Sequence, residues 1–343
     1  SPPSLVNAIV NVIEPDHGTI FDPACGSAGM FVQTVHFIEE EGFDPSKKVV
    51  FYGQEKTSTN IKLAKMNMAV HGMDAKLLEG NTFYEDHHAL VGKCDFVMAN
   101  PPFNVDGVDK NKDGVKNDPR LPFGLPRNDN ANYLWISYFY SYLNETGRAG
   151  FVMASSASDA GHSEKDMRQK LVETGAVDVM VTIGPKFFYT RSLPCTLWFL
   201  DKAKAQNPTR ADQTLMLDLR EVYRKVSSNL HDFTPEHLQN IHAIVALYRG
   251  DTTHFEKAVA EYRKKADQAL KEAREIISSM MKMDAPFEGF KLEVSDHPKL
   301  EIKQLKKVKG EVNALLRHVN ESTKEHLKND KVKADKELVK SLK

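Results

Sequence analysis

Up to about residue 220, short apolar runs alternate with segments whose apolar residues recur every three or four positions. The short runs, at 19–22, 49–55, 75–79, 95–99, 148–154, 177–183 and 194–200, predict strands; the periodic segments, at 1–14, 29–41, 57–71, 132–143 and 162–173, predict helices. In the first helix Ser1 serves as cap, Pro2 suits the first turn, and Leu5, Val6, Ile9, Val10 and Ile13 form the buried face before Pro15 and Gly18 end it. Leu134, Trp135, Phe139 and Tyr142 make the face of 132–143 strongly apolar, the mark of a core helix. Strand and helix in alternation predict an α/β fold with a doubly wound, mostly parallel seven-stranded sheet, and 215–219 as a further strand at an edge. After Arg220 the pattern changes to helices. One covers 235–248; a long charged one covers 255–283, with Val259, Tyr262, Ala266, Leu270, Ala273 and Ile277 at heptad-like spacing. Beyond Pro286 and Gly289, the Lys-rich segment 299–343 is again helical in character. This divides the chain into a sheet domain, 1–220, and a helical C-terminal extension, 221–343.

Polar residues fall repeatedly at the carboxyl ends of the predicted strands: Asp22, Glu55, Asn81 and Asn100. Ligands of open parallel sheets lie beyond those ends. After Asp22 comes the small-residue turn Pro23-Ala24-Cys25-Gly26-Ser27-Ala28-Gly29, leading into a helix whose first N–H groups are free to meet a ligand. Taken alone, the turn is weak evidence and is also open to a second reading, as only a tight strand–helix connection. Glu55 ends the second strand, where a carboxylate can hold a ribose diol; alone it is a solvated acid. Asn81, with Thr82 beside it, either contacts an adenine ring or makes its own turn. Asp95-Phe96-Val97-Met98-Ala99-Asn100-Pro101-Pro102-Phe103 reads as a buried strand stopped by two prolines, which hold an amide, a carbonyl and a ring together in a stiff turn. Such a turn can grip a planar amine.

The two stretches Phe21-Asp22-Pro23-Ala24-Cys25-Gly26-Ser27-Ala28-Gly29-Met30-Phe31 and Ala99-Asn100-Pro101-Pro102-Phe103, with Glu55 between them, resemble the amino-methyltransferases that use S-adenosylmethionine. In detail they resemble the modification subunit of type I restriction–modification systems. The resemblance implies a Rossmann-like methyltransferase domain. It implies S-adenosylmethionine held by Ser1, Pro2, Pro3, Asp22, Pro23, Ala24, Cys25, Gly26, Ser27, Ala28, Gly29, Glu55, Asn81 and Thr82. It also implies catalysis by Asn100, Pro101, Pro102 and Phe103, with Phe103 and either Phe187 or Phe188 walling the target base. Ser1-Pro2-Pro3 is similar to the end of a family motif whose aromatic residue is missing here, so an N-terminal helical domain is expected to be absent. Ala28 and Asn81 depart from the family's usual Gly and Asp. The implied partners are DNA, a specificity subunit, a restriction subunit and a second copy of the modification subunit, with the C-terminal helices serving assembly.

Composition changes this picture little. A formal net charge of −1 argues against a free-standing nucleic-acid binder and fits a subunit whose DNA grip comes largely from another chain. Cys25, Cys94 and Cys195 are far apart and have no metal-ligand spacing, which fits a reducing cytoplasm. No apolar run is long enough to span a bilayer. The polar segment 104–130 is a long loop over the site, with Lys110, Lys112, Lys116, Arg120 and Arg127 as candidate phosphate contacts. Its Asp109-Lys110-Asn111-Lys112-Asp113-Gly114 begins like a calcium loop, but Arg120 stands where that loop needs Glu. Methyl transfer to RNA amines or protein glutamine, and an idle assembly subunit, remain the alternatives.

Overall fold

The computed structural model describes residues 2–127, 130–189 and 192–282, with side chains through residue 276. In chain order the helices are α1 (Pro3–Ile13), α2 (Gly29–Glu40), α3 (Pro45–Lys48), α4 (Ser58–Val70), α5 (Asp113–Lys116), α6 (Asn132–Tyr142), α7 (His162–Glu173), α8 (Pro235–Tyr248) and α9 (Thr253–Lys282). The strands are β1 (Gly18–Asp22), β2 (Val49–Glu55), β3 (Ala75–Glu79), β4 (Cys94–Ala99), β5 (Leu143–Ala154), β6 (Val177–Ile183), β7 (Cys195–Asp201), β8 (Leu215–Leu219), β9 (Arg224–Ser227) and β10 (Leu230–Asp232).

The sheet runs β3-β2-β1-β4-β5-β7-β6-β8. The seven core strands are joined by β8, the further strand expected at 215–219, which pairs parallel to β6 at the far edge and makes eight. Only β7 runs against its neighbours, β5 and β6. The chain winds outward from β1 through β2 to β3, then returns to place β4 on the other side of β1. The strand order thus reverses between β1 and β4, where the connections leave a crevice at the carboxyl edge.

Each face of the sheet has its own core. One combines Leu5, Ile9, Val12 and Ile13 of α1 with Phe31 of α2, Met68 of α4, and Ile241 and Val245 of α8. The other is aromatic, with Tyr133, Trp135, Tyr138, Phe139 and Tyr142 of α6 against Phe21, Val97 and Phe151. α6 is buried nearly all round, not on one face, because the segment 104–130 packs over it with Val108, Val115 and Phe123. That packing corrects two expectations for the loop. Arg120 is buried, paired with Asp118 at 2.6 Å, bonded to the Tyr142 hydroxyl and set over the Tyr138 ring. Lys110 is also buried, its ammonium donating to the Asn130 carbonyl. Both side chains hold the loop down and neither faces solvent; Lys112, Lys116 and Arg127 do.

Pro2, not Ser1, caps α1, with no side-chain hydrogen bond; Ser1 lies outside the described residues. The compact unit bearing the sheet is Ser1–Ala258, so the β9–β10 hairpin and α8 pack with it. Val259 begins the second unit, described as far as residue 282, where Tyr262 and Leu270 of the heptad-like stripe are exposed. Residues 283–343, including Pro286, Gly289 and the Lys-rich segment, lie outside the described residues.

Candidate active site

β1 ends on Asp22, β2 on Glu55, and β4 one residue before Asn100. Parallel pairing brings all three to one edge. There they meet in a cavity of about 490 Å³ lined by Asp22, Ala24, Cys25, Gly26, Ser27, Gly29, Glu55, Asn100, Pro101, Pro102 and Phe103. The volume suits a small organic ligand.

The turn after β1 supplies the floor. Gly26 has a positive φ of 53°, which its lack of a Cβ makes easy, and Ala28 at φ 64° sets the start of α2. Glu55 spans the turn. One carboxylate oxygen accepts the Gly26 N–H at 3.1 Å; the other accepts the Thr57 N–H and the Asn60 amide, both at 3.2 Å. Asp22 is buried, and one of its oxygens accepts the Ala24 N–H at 2.9 Å. Burial pushes its carboxyl up to about 8; the Ala24 hydrogen bond opposes the rise and the Glu55 charge adds to it. Burial, followed by the Asp22 and Glu55 charges, also raises the Cys25 thiol, which disfavours its thiolate.

Several anticipated residues stand behind the cavity rather than in its wall. Thr82 is buried; its hydroxyl donates to the Pro23 carbonyl at 2.6 Å and accepts from the Gln54 amide at 3.2 Å. Asn81 makes the turn, accepting the Phe83 N–H and donating its own N–H to Glu85. Ala28 is fully buried, and Pro2 and Pro3 do not line the cavity. Gln54 was not anticipated. It is fully buried and joins Thr82, the Glu85 carbonyl and the His87 N–H, fixing β2 to the segment after β3. Its position next to Glu55 in an otherwise apolar strand was the available signal.

On the other wall, Phe103 meets Phe188 edge to face, ring centroids 6.0 Å apart. Phe187 points into the core against Phe233 at 4.8 Å and is not a base-facing candidate. The two adjacent rings thus have different neighbours, Phe233 for Phe187 and Phe103 for Phe188. Asn104 follows Phe103 at φ 52°, a conformation asparagine tolerates. Its N–H donates to the Asn132 side-chain oxygen at 2.9 Å, and the Asn132 amide donates back to the Asn104 side-chain oxygen at 2.8 Å. This reciprocal pair fastens the end of the Asn100–Phe103 turn to the start of α6.

The family model described as N-6 DNA Methylase matches residues 1–282. The chain belongs to the N-6 DNA methylase family. Among relatives, the chain is 36% identical over 247 residues to the type I restriction enzyme MjaIX methylase subunit of Methanocaldococcus jannaschii, covering 70% of this chain and 43% of the relative. It is 34% identical over 246 residues to the HindI methylase subunit of Haemophilus influenzae, covering 70% and 53%. The chain thus spans about half the length of these relatives. The type I restriction-modification methyltransferase subunit of Streptococcus thermophilus shares the fold, with a TM-score of 0.64 and 24% identity over 71% of this chain and 52% of that one.

Proposed function

We propose that this chain is the methylation subunit of a type I restriction–modification complex, transferring a methyl group from S-adenosylmethionine to N6 of an adenine in DNA. The observation that carries the reading is the shared cavity: the Asn100–Phe103 turn faces the Asp22 and Glu55 carboxylates across the point of strand reversal. The residues fit the cofactor. Two acidic side chains suit a ligand with a sulfonium, an ammonium and a ribose diol. A Cβ placed on Gly26 or Gly29 would meet open space, so a ligand can approach the backbone there. When bound, S-adenosylmethionine supplies an electrophilic methyl group on a cationic sulfur.

Adenine N6 is a weak nucleophile because its lone pair is shared with the ring. The Asn100 side-chain oxygen and the Pro101 carbonyl accept its two hydrogens, which draws the nitrogen toward tetrahedral geometry and aims the lone pair. Phe103, braced by Phe188, stacks on the ring. Orientation and fixed dipoles supply the acceleration. A paired adenine cannot reach a crevice at the end of a sheet, so the base is flipped out of the duplex. Lys112, Lys116 and Arg127 are the exposed cations of the 104–130 segment and are assigned to backbone phosphates. The exposed apolar positions of α9 suit helix pairing with a specificity subunit; a second modification subunit and a restriction subunit complete the complex, in the cytoplasm. The relatives' names favour DNA over RNA or protein as the substrate.

The test is transfer of labelled methyl to duplex DNA by the chain with its specificity subunit, beside Asn100→Ala. Loss of one placed polar group lowers the rate by roughly 10²–10³-fold, with cofactor binding retained; label on RNA or protein instead of DNA, or an unchanged rate, would overturn the reading.

A further inference from the structure

At the amino edge of the sheet, away from the cavity just described, three potential metal donors converge. Glu14 is the C-cap of α1, with φ 52°, a strained backbone for a non-glycine residue. His242 projects from α8 and His254 from the first turn of α9. Glu14 Oε1 lies 2.8 Å from His242 Nε2 and 3.7 Å from His254 Nε2, and the candidate donor atoms of all three residues lie within 4.8 Å of one another. Around a tetrahedral ion with bonds of about 2.0–2.1 Å, neighbouring ligand atoms stand about 3.3 Å apart. The two carboxylate–imidazole distances bracket that spacing, and binding an ion would turn the two imidazoles apart so that both ring nitrogens face it. The two imidazoles lie 3.8 Å apart between centroids, tilted by 33°.

We propose that Glu14, His242 and His254 form a three-ligand site for a divalent transition metal, with water as the fourth ligand and zinc as the best-matched ion. Two imidazoles are borderline donors and outnumber the one hard carboxylate, a set that favours zinc, cobalt or nickel over magnesium or calcium. The surroundings support it. A cavity of about 360 Å³ reaches the cluster, so an ion and its water have room to enter, and the side chains are 35%, 13% and 30% exposed. Arg148 lies 3.5 Å from Glu14 Oε2, leaving Oε1 for a single metal bond. That guanidinium also repels a dication, which makes the site weaker than a closed structural zinc site. The cluster lies at the opposite edge from Asn100, so its role is structural: it clips α1 to α8 and to the start of α9.

The experiment uses the full chain, stripped with chelator and titrated with Zn²⁺, and separately with Co²⁺ for its visible spectrum. The expected result is one equivalent bound with micromolar affinity, tetrahedral cobalt absorption and a higher melting temperature. His242→Ala and His254→Ala each lower affinity at least tenfold and remove the melting shift, while His17→Ala, in the same cavity, leaves both unchanged. Circular dichroism of each metal-free variant shows whether it is folded. If a histidine variant unfolds, Glu14→Gln, which keeps the shape, replaces it. Binding that survives these substitutions, or no binding below about 100 µM, shows the cluster to be a simple ion pair and overturns the proposal.

Discussion

At Asp22 the same burial that hides the carboxyl also sets a pH dependence. Its folded pKa of about 8 lies above the unfolded value of about 4. Between these values the native state holds a proton that the unfolded chain has released, so its contribution to stability falls as pH rises through that window. A bound sulfonium or ammonium favours the carboxylate. Cofactor binding should therefore release a proton and tighten as pH rises toward about 8, then level off. Calorimetry in buffers of different ionisation enthalpy measures this, and Asp22→Asn should flatten the slope; the same slope in the variant would remove Asp22 as its origin. Asn132 acts one step back from the reaction. Asn132→Ala frees Asn104 and loosens the turn, so kcat should fall by about tenfold or more while cofactor affinity holds. An equal loss of cofactor affinity would point to general unfolding of the site.

Among the elements, α1 is seated on the sheet through a glycine. A Cβ on Gly150 of β5 would lie 2.8 Å from Ile9, 2.9 Å from Ile13 and 3.0 Å from Phe199. All three side chains are fully or nearly fully buried, so none can swing into solvent. Gly150→Ala should destabilise the protein by about 1–3 kcal/mol in denaturant titrations. The 104–130 segment depends on an ion pair instead. Asp118 and Arg120 are almost completely buried, and Arg120→Ala would strand the carboxylate at a cost of about 3–5 kcal/mol. Local hydrogen exchange or proteolysis should detect the loosening in this segment first; unchanged protection would mean the aromatic packing on α6 holds it alone.

For the molecule as a whole, the decisive anchor is Asp178 in β6. It is fully buried and paired with Arg210 at 3.2 Å and with Arg249, just past α8, at 2.8 Å. Arg249 also donates to the Val12 carbonyl of α1. Ile241 and Val245 of α8 belong to the same core as α1. A protein ending at residue 258 should retain a cooperative unfolding transition. One ending at residue 220 loses Arg249 and the apolar face of α8 and should not. Cooperative unfolding of the shorter chain would show α8 to be an accessory.

The sequence by itself determined the alternation of strands and helices, the turn after Asp22, the acid at Glu55 and the stiff turn at Asn100–Phe103. Each of these is encoded locally, by periodicity, small residues or proline. The resemblance to modification subunits rested on those same turns, and the family match and the parallel sheet agree with it. Tertiary structure decided what depends on packing between distant segments. Strand periodicity predicts an edge strand at 215–219 but not its neighbour, and only the folded sheet shows it pairing parallel to β6. Charge alone does not say whether a side chain meets solvent, so Lys110 and Arg120 looked like phosphate contacts until the loop folded over α6. Nor could adjacency in the chain tell Phe187 from Phe188, because only packing decides that Phe187 lies in the core against Phe233 while Phe188 meets Phe103.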